Sequence, residues 1–474
     1  MAETGAVMLK RFIAWIQGVI KRMLHVNDAK RALNLDVSIS TDMQEAIDLW
    51  EKLFLNKAPW LDENTQSMGL PAAIAGEFAR LTVVELDTRI EGSPRADWLQ
   101  QQYTALTERL REHVEVACAG GGLVFKPYVE KGQLAVDAVP AWRFLPTGFH
   151  RGQVTGAVFV ERATRGKRCY TRMEHHQLAE DGYHIRNLAF RSDSESQLGG
   201  PCGLAEVDAW AELEPEVTIR YRDGSVPEGM LFSYFRIPFA NSIDPGSPLG
   251  VSVYGRATDL LREADRQYSR ILWEYEGSEL AVDASYGALR VPEDGDAPAL
   301  PTRKQRLFRQ LSLDQGQGGD LYEVFSPSIR DVALFNGLDK LLKRIEFNCS
   351  LAYGTLSDPQ NVDKTAEEIR SSKQRSYAAV CEIQSALQAA LEHLVWTMDF
   401  YATAYRLAPR GAYQVSFTFG DGVLQDADKE FAVRKQLVDG GYLRPELLVS
   451  WYFGTSEEEA RKMMPELEPE LALE

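Results

Sequence analysis

The sequence predicts an α+β fold, and three features carry that prediction. Amphipathic segments with apolar residues at three-and-four spacing fill much of residues 40–119. Short alternating segments separated by turn residues fill about 123–240. A stretch without Gly or Pro then runs from Thr365 to Ala408, far longer than an ordinary helix needs.

In chain order, MQEAIDLWEKLF and LPAAIAGEFARLTVVEL have helical periodicity, so residues 40–90 are expected to be helical. A further helix is expected over 94–119, with Trp98, Tyr103, Leu106, Leu110 and Val114 on its apolar face. Gly120, Gly121 and Gly122 end it. The segments LVFKPYV, QLAVDAV, VTGAVFVERA, CYTRMEHHQL, YHIRNLAF and VTIRYRD follow as an antiparallel sheet region. Residues 233–249, SYFRIPFANSIDPGSPL, form a Pro-rich crossing.

A helix over 256–276 spans about 30 Å. Residues 277–327 read as irregular and short-stranded, with PEDGDAPALP and DQGQGG among them. A second helix over 329–351 contains Gly337, where a bend is expected. After a polar loop, Thr365 and Glu368 have capping-box spacing. They open a helix of about 40 residues, roughly 60 Å long, which would project from a compact monomer. The chain continues with the strand-like YQVSFTFGD, a helix over 426–438, the short helix SEEEARKMM and the acidic ELEPELALE.

Composition narrows the function classes. The 474 residues carry a net charge of −17, which repels nucleic acid and anionic membrane at long range. Contact with DNA then requires local basic patches. Five cysteines without a CxxC pair fit buried thiols rather than a disulfide framework. No apolar run is long enough to span a membrane. MLKRFIAWIQGVIKRML is basic and amphipathic. It is interrupted by charges, so it is not a signal peptide; it reads as a surface helix docked through Phe12, Trp15, Ile16 and Val19, with a membrane-surface helix as the alternative.

The common catalytic signatures for phosphate cradling, zinc hydrolysis and serine nucleophiles are absent. His175 and His176 are adjacent on a predicted strand and point to opposite faces, so one metal cannot easily use both. The triple glycine sits at a helix C-terminus, where the dipole disfavours an anion. Two basic clusters remain. Arg303, Lys304, Arg306 and Arg309 lie in PTRKQRLFRQ, either as solvated surface or as a contact for DNA or an acidic partner. Lys340, Lys343 and Arg344 share one helix face, with the same two readings.

The order of these segments resembles the phage portal proteins, specifically the siphophage group of Gram-positive hosts and related prophages. PLGVSVYGRATDLLREADRQYSRILWEYEGSELAV resembles the family's entry into its first stem helix, and FSYFRIPFANSIDPGSPLG the run before it. ACAGGGLVFKPYVEKGQLAVDAVPAWRFLPT resembles its helix-to-sheet entry. KTAEEIRSSKQRSYAAVCEIQSALQAAL resembles the start of its long helix, and VSFTFGDGVLQDADKE with the later SEEEA its tail. The likeness spans nearly the whole chain and rests on the order of segments rather than on one motif.

The resemblance implies a portal-type α+β subunit with a mixed helical and antiparallel-sheet wing over 1–255. It implies stem helices at 256–276 and 328–351, a small α/β clip at 277–327 and a tunnel loop at 352–364. A long wing helix and returning strand fill 365–420, and a helical crown-like region 421–474. The tunnel-loop residues are then Thr355, Leu356, Ser357, Asp358, Pro359, Gln360, Asn361 and Val362. Lys340, Lys343 and Arg344 become stem or channel cations, and Arg303, Lys304, Arg306 and Arg309 clip residues for docking or DNA.

The implied role is structural, with no enzymatic activity, cofactor or metal. A homo-oligomeric ring of about twelve subunits, or about thirteen when recombinant, would sit at one capsid vertex of the virion after assembly in the host cytoplasm. It would conduct double-stranded DNA without sequence specificity during packaging and ejection. Its partners would be the terminase large subunit, a head-tail adaptor, and the major capsid and scaffolding proteins, with no membrane. Two other classes fit the residues less well: a soluble multi-helix interaction scaffold, and a nucleic-acid-processing enzyme with an unfamiliar site.

Overall fold

The computed structural model describes Leu33 and residues 37–464, apart from 131, 195–196, 222, 279–280, 286–307, 312–321, 326–327, 359–365, 421–426 and 454–456. The N-terminal amphipathic segment, the Thr365 cap and the acidic end of the chain lie outside the described residues. The fold is α+β, with ten α-helices and mainly antiparallel sheets among the described residues.

Helix α1 (Thr41–Phe54) starts where the Met43 N–H donates to Ser40 Oγ at 3.2 Å. Met43, Ile47, Trp50 and Leu53 form its buried stripe. Helix α2 (Leu70–Val83) follows Gly69, with Pro71 in its first turn. Residues 86–91 correct the helical expectation. They form strand β1 (Leu86–Glu91), paired antiparallel with a strand more than 300 residues later, Gln414–Phe419. LDTRIE alternates in polarity, and a distant partner completes its ladder where no helical stripe continues.

The helix expected over 94–119 is two helices, α3 (Pro94–Thr107) and α4 (Leu110–Gly120). At the break, Thr104 and Thr107 donate their hydroxyls to the carbonyls of Gln100 and Thr104, both at 2.8 Å. Such back-bonding loosens a helix end. Helix α4 stops at Gly121, whose φ is 85°. A Cβ at Gly121 would run into the Gly250 carbonyl, and one at Gly250 into the Gly121 carbonyl. Two backbones therefore meet closely there, which only glycine permits.

Strands β2 (Gly122–Glu130), β3 (Gln133–Pro140) and β10 (Ser233–Arg236) form a three-stranded sheet in the order β10-β2-β3. A larger antiparallel sheet has the order β4-β5-β6-β7-β8, from β4 (Phe144–His150), β5 (Gln153–Arg165), β6 (Arg168–Ala179), β7 (Gly182–Ser192) and β8 (Gly200–Cys202). Strand β9 (Glu216–Ile219) also pairs with β7. Strands β4, β8 and β10 were not anticipated; β10 lies inside the Pro-rich crossing.

One face of β6 carries Arg172, Glu174 and His176, all buried. Lys126 reaches Glu174 at 2.6 Å, and Arg172 reaches Glu161 at 2.6 Å and Glu174 at 3.1 Å. His176 bridges Glu174 and the Tyr183 hydroxyl, each at 2.7 Å. Each charge in this network has a partner, as burial demands. His175 points to the other side, 3.4 Å from Thr147 Oγ1.

Helices α5 (Thr258–Gly277) and α6 (Asp331–Asn348) lie side by side. Between them in sequence come β11 (Ala281–Ser285), β12 (Phe308–Leu311) and β13 (Tyr322–Phe325). These form a small sheet ordered β12-β11-β13, parallel between β11 and β12 and antiparallel between β11 and β13.

Helix α7 (Ala366–Ala404) has 39 residues, a length of about 58 Å. It does not simply project. Val380, Ile383, Leu387, Leu391, Leu394 and Met398 are fully buried, so its middle threads the body. Ser233 Oγ donates to the Ala390 carbonyl at 2.5 Å and ties β10 to it. A continuous buried core runs from Met43 in α1 to Tyr401 in α7 and includes the roots of α5 and α6. Strand β14 (Gln414–Phe419) returns to β1, then come α8 (Ala427–Asp439), the unanticipated α9 (Pro445–Phe453) and α10 (Glu457–Met463). All five cysteines are free thiols, and burial pushes those of Cys118 and Cys349 up.

Candidate functional site

The α5–α6 pair is antiparallel, because Gln267 on α5 donates to the Leu334 carbonyl at 3.2 Å while Glu274, two turns on, meets Arg330. That contact is bidentate, with Nε at 3.0 Å and Nη2 at 2.7 Å from the carboxylate. The Arg330 hydrogen bond lowers the pKa of Glu274. The root of α5 is clamped differently. Asp265 accepts from Trp60 Nε1 and the Met68 N–H, both at 2.9 Å, and Ser269 Oγ accepts from the Gln66 N–H at 2.8 Å. Burial pushes the Asp265 carboxyl up, against the pull of those two donors.

Toward its small sheet, the pair carries apolar groups that the described residues leave exposed. Trp273 is 67% exposed, Val332 69% and Phe335 47%. Val332 and Phe335 are one helical turn apart and so share a face. Ile329 and Tyr275 extend the surface, with Tyr275 6.5 Å from the Phe335 ring.

At the other end of α6, a turn is built around a buried acid. Glu346 is 0% exposed. Its Oε1 accepts from the N–H groups of Gly354 (3.1 Å), Leu356 (2.6 Å) and Ser357 (2.8 Å), and its Oε2 from the Ser357 hydroxyl at 2.9 Å. A second acid assists. Asp339 accepts from the Asp358 N–H at 3.0 Å while its other oxygen meets Lys343 at 2.6 Å. Helix α7 closes the opposite side. The Arg375 guanidinium lies over the rings of Phe347 (4.6 Å) and Tyr353 (5.5 Å) and donates to the Leu351 carbonyl at 3.4 Å.

The residues singled out from sequence fall into distinct groups. Thr355 and Asp358 are exposed, Leu356 is half-buried, and Ser357 is buried against Glu346. Pro359, Gln360, Asn361 and Val362 lie outside the described residues. Lys340 and Arg344 are exposed on α6, one helical turn apart, whereas Lys343 is half-buried and paired with Asp339. Arg309 sits on β12 opposite Asp283, while Arg303, Lys304 and Arg306 lie outside the described residues. Sequence reading missed Glu346, Asp339 and Arg375. Glu346 carried one signal: it is an acid on the stripe of Leu338, Leu342, Ile345 and Cys349, all buried.

Among the described residues, no group of three or more His, Cys, Asp or Glu side chains is arranged to hold a metal ion. No helix among them is long and apolar enough to cross a membrane. No family model matches the chain, and no curated protein is significantly similar to it.

Proposed function

We propose that this chain is a portal-type subunit. A ring of its copies would form a DNA conduit at one capsid vertex, with terminase and a head-tail adaptor docking on the clip. One observation carries the proposal. An antiparallel helix pair bears a three-stranded sheet at one end and uncovered apolar side chains along its flank. The second helix of the pair then runs into an anchored turn and a 39-residue helix. Apolar groups such as Trp273, Val332 and Phe335 need cover, and a neighbouring copy around a ring supplies it to every subunit alike.

Charge supports the same function. A chain of net charge −17 repels a passing polyanion, so DNA slides instead of sticking. Lys340 and Arg344 offset that repulsion locally on the helix leading to the turn. The turn's root is held from α6 and from α7, as a constriction carried by a rigid support requires.

The test is the double variant V332D/F335D. Both side chains are exposed in the subunit, so the variant folds with the melting temperature of wild type. It sediments as monomer where wild type sediments as a ring. A variant that assembles like wild type contradicts the proposal.

A further inference from the structure

An arginine-rich cleft lies away from the helix pair, where α7 ends. Its volume is about 1030 Å³, and it opens between the end of α7 with Arg406, Ala408, Arg410 and Gly411 on one side and Ile219, Arg220, Tyr221 and Asp223, at and after the end of β9, on the other. Arg95 anchors it at 1% side-chain exposure. Arg95 donates to Asp399 Oδ1 at 2.7 Å, the Ala408 carbonyl at 3.0 Å, the Asp399 carbonyl at 3.3 Å, and the Thr403 hydroxyl. Those bonds satisfy the buried charge and pin the chain as it leaves α7.

Among the lining side chains there remains an excess of positive charge beside aromatic rings, with Glu228 outside the lining but near enough to add, after burial, to the upward push on the Tyr221 hydroxyl. With Arg95 and Asp399 paired, Arg220, Arg406 and Arg410 face one lining acid, Asp223. Asp223 already accepts from the N–H and hydroxyl of Ser225, at 2.9 and 2.6 Å. Among the described residues Arg406 and Arg410 have no carboxylate partner, and the one nearest Arg220 is Asp181 at 3.9 Å. The Tyr221 and Phe400 rings meet edge to face at 5.7 Å, and Trp396 lies 6.3 Å from Phe400. A cationic, aromatic cleft on a chain of net charge −17 selects an acidic ligand with apolar side chains.

We infer that this cleft binds the chain's own acidic segment, residues 465–474, PELEPELALE. That segment holds Glu466, Glu468, Glu470 and Glu474, has no Lys or Arg, and interleaves Leu467, Leu471 and Leu473. Pro465 and Pro469 favour an extended peptide, in which neighbouring side chains point to opposite sides. Such a peptide offers carboxylates to Arg406 and Arg410 while its leucines meet Tyr221, Trp396 and Phe400. Arginine suits the role because its planar fork grips a carboxylate bidentately. The inference does not depend on ring formation.

The test places a photo-reactive benzoylphenylalanine at Tyr221, which is 41% exposed, in the full-length chain. The expected adduct maps to 465–474. It falls about tenfold on raising salt to about 1 M, where screening is short-ranged. It falls at least as far in R406E/R410E, whose exposed positions leave the melting temperature unchanged, and in E466Q/E468Q/E470Q. Adducts confined to other segments, no adduct at all, or an adduct indifferent to both variants would overturn the inference.

Discussion

Replacing Glu346 tests the anchored turn directly. In Glu346→Ala, the Leu356 and Ser357 N–H groups and the Ser357 hydroxyl lose their acceptor together, and the Gly354 N–H keeps only Ser357 Oγ at 3.3 Å. Each such bond to a charged group contributes about 1.5–3 kcal/mol net. The sum is not realised, because the turn opens to water before these donors are stranded. A local destabilisation of about 3 kcal/mol is therefore expected, capped by the opening of 354–358. Glu346→Gln behaves differently. Its amide oxygen, in the place of Oε1, keeps the three N–H bonds, and its NH₂ donates to Ser357 Oγ. Only charge assistance is lost, about 1 kcal/mol. Amide hydrogen exchange at residues 354–358 is the assay. Exchange should speed up roughly 100-fold in the Ala variant and about fivefold in the Gln variant, using about 1.4 kcal/mol per tenfold. The buried core should keep its protection in both. Wild-type protection in Glu346→Ala, or an equal loss in both variants, would refute the anchoring argument.

Stability should also depend on pH through the buried histidines. Burial, then repulsion from His176 and Arg186, pushes His175 down from 6.5 to about 4, and burial also lowers His176 against the pull of Glu174. The unfolded chain therefore takes up protons that the folded chain refuses, so stability falls as pH drops from 6.5 toward 4. Although burial opposes it, Lys126, His176 and Arg172 hold the Glu174 carboxyl well below 4.5, so its contribution is lost at lower pH still. Urea titrations across this range should show that slope, and His175→Asn should flatten it by about one proton. Deleting 359–362 keeps Gly354, Leu356 and Ser357, the described donors to Glu346, so rings should form while packaged DNA falls; normal DNA content in such particles would deny the loop its role at the constriction. Changing Arg303, Lys304, Arg306 and Arg309 together to glutamine should weaken terminase or adaptor binding measured by interferometry; wild-type affinity for both would make the patch plain solvated surface.

The regular helices were legible because their burial is local. Met43, Ile47 and Trp50, or Val380, Ile383 and Leu387, repeat at intervals that a sequence displays and the core then uses. Strand β1 was not legible, because its partner is more than 300 residues away and LDTRIE follows directly on a helix. Strand β10 was hidden by surrounding prolines, although SYFR itself pairs with β2. The loop's exposed and buried halves were not separable either. Ser357 looks like any polar loop residue, and its burial depends on Glu346, eleven positions earlier. The face shared by Lys340, Lys343 and Arg344 was predicted, but Lys343 is drawn to Asp339 by an i,i+4 pair. Glu346 was visible as an acid on an apolar stripe, yet its donors come from a turn that sequence alone cannot position.

We propose that copies of this chain close into a ring. Native mass measurement joined to class-averaged electron images of the purified full-length protein tests it most directly. The expected result is one species of about twelve or thirteen subunits with a central hole and matching rotational symmetry. A monomer or dimer at every salt and protein concentration, with no ring in any class, would contradict it.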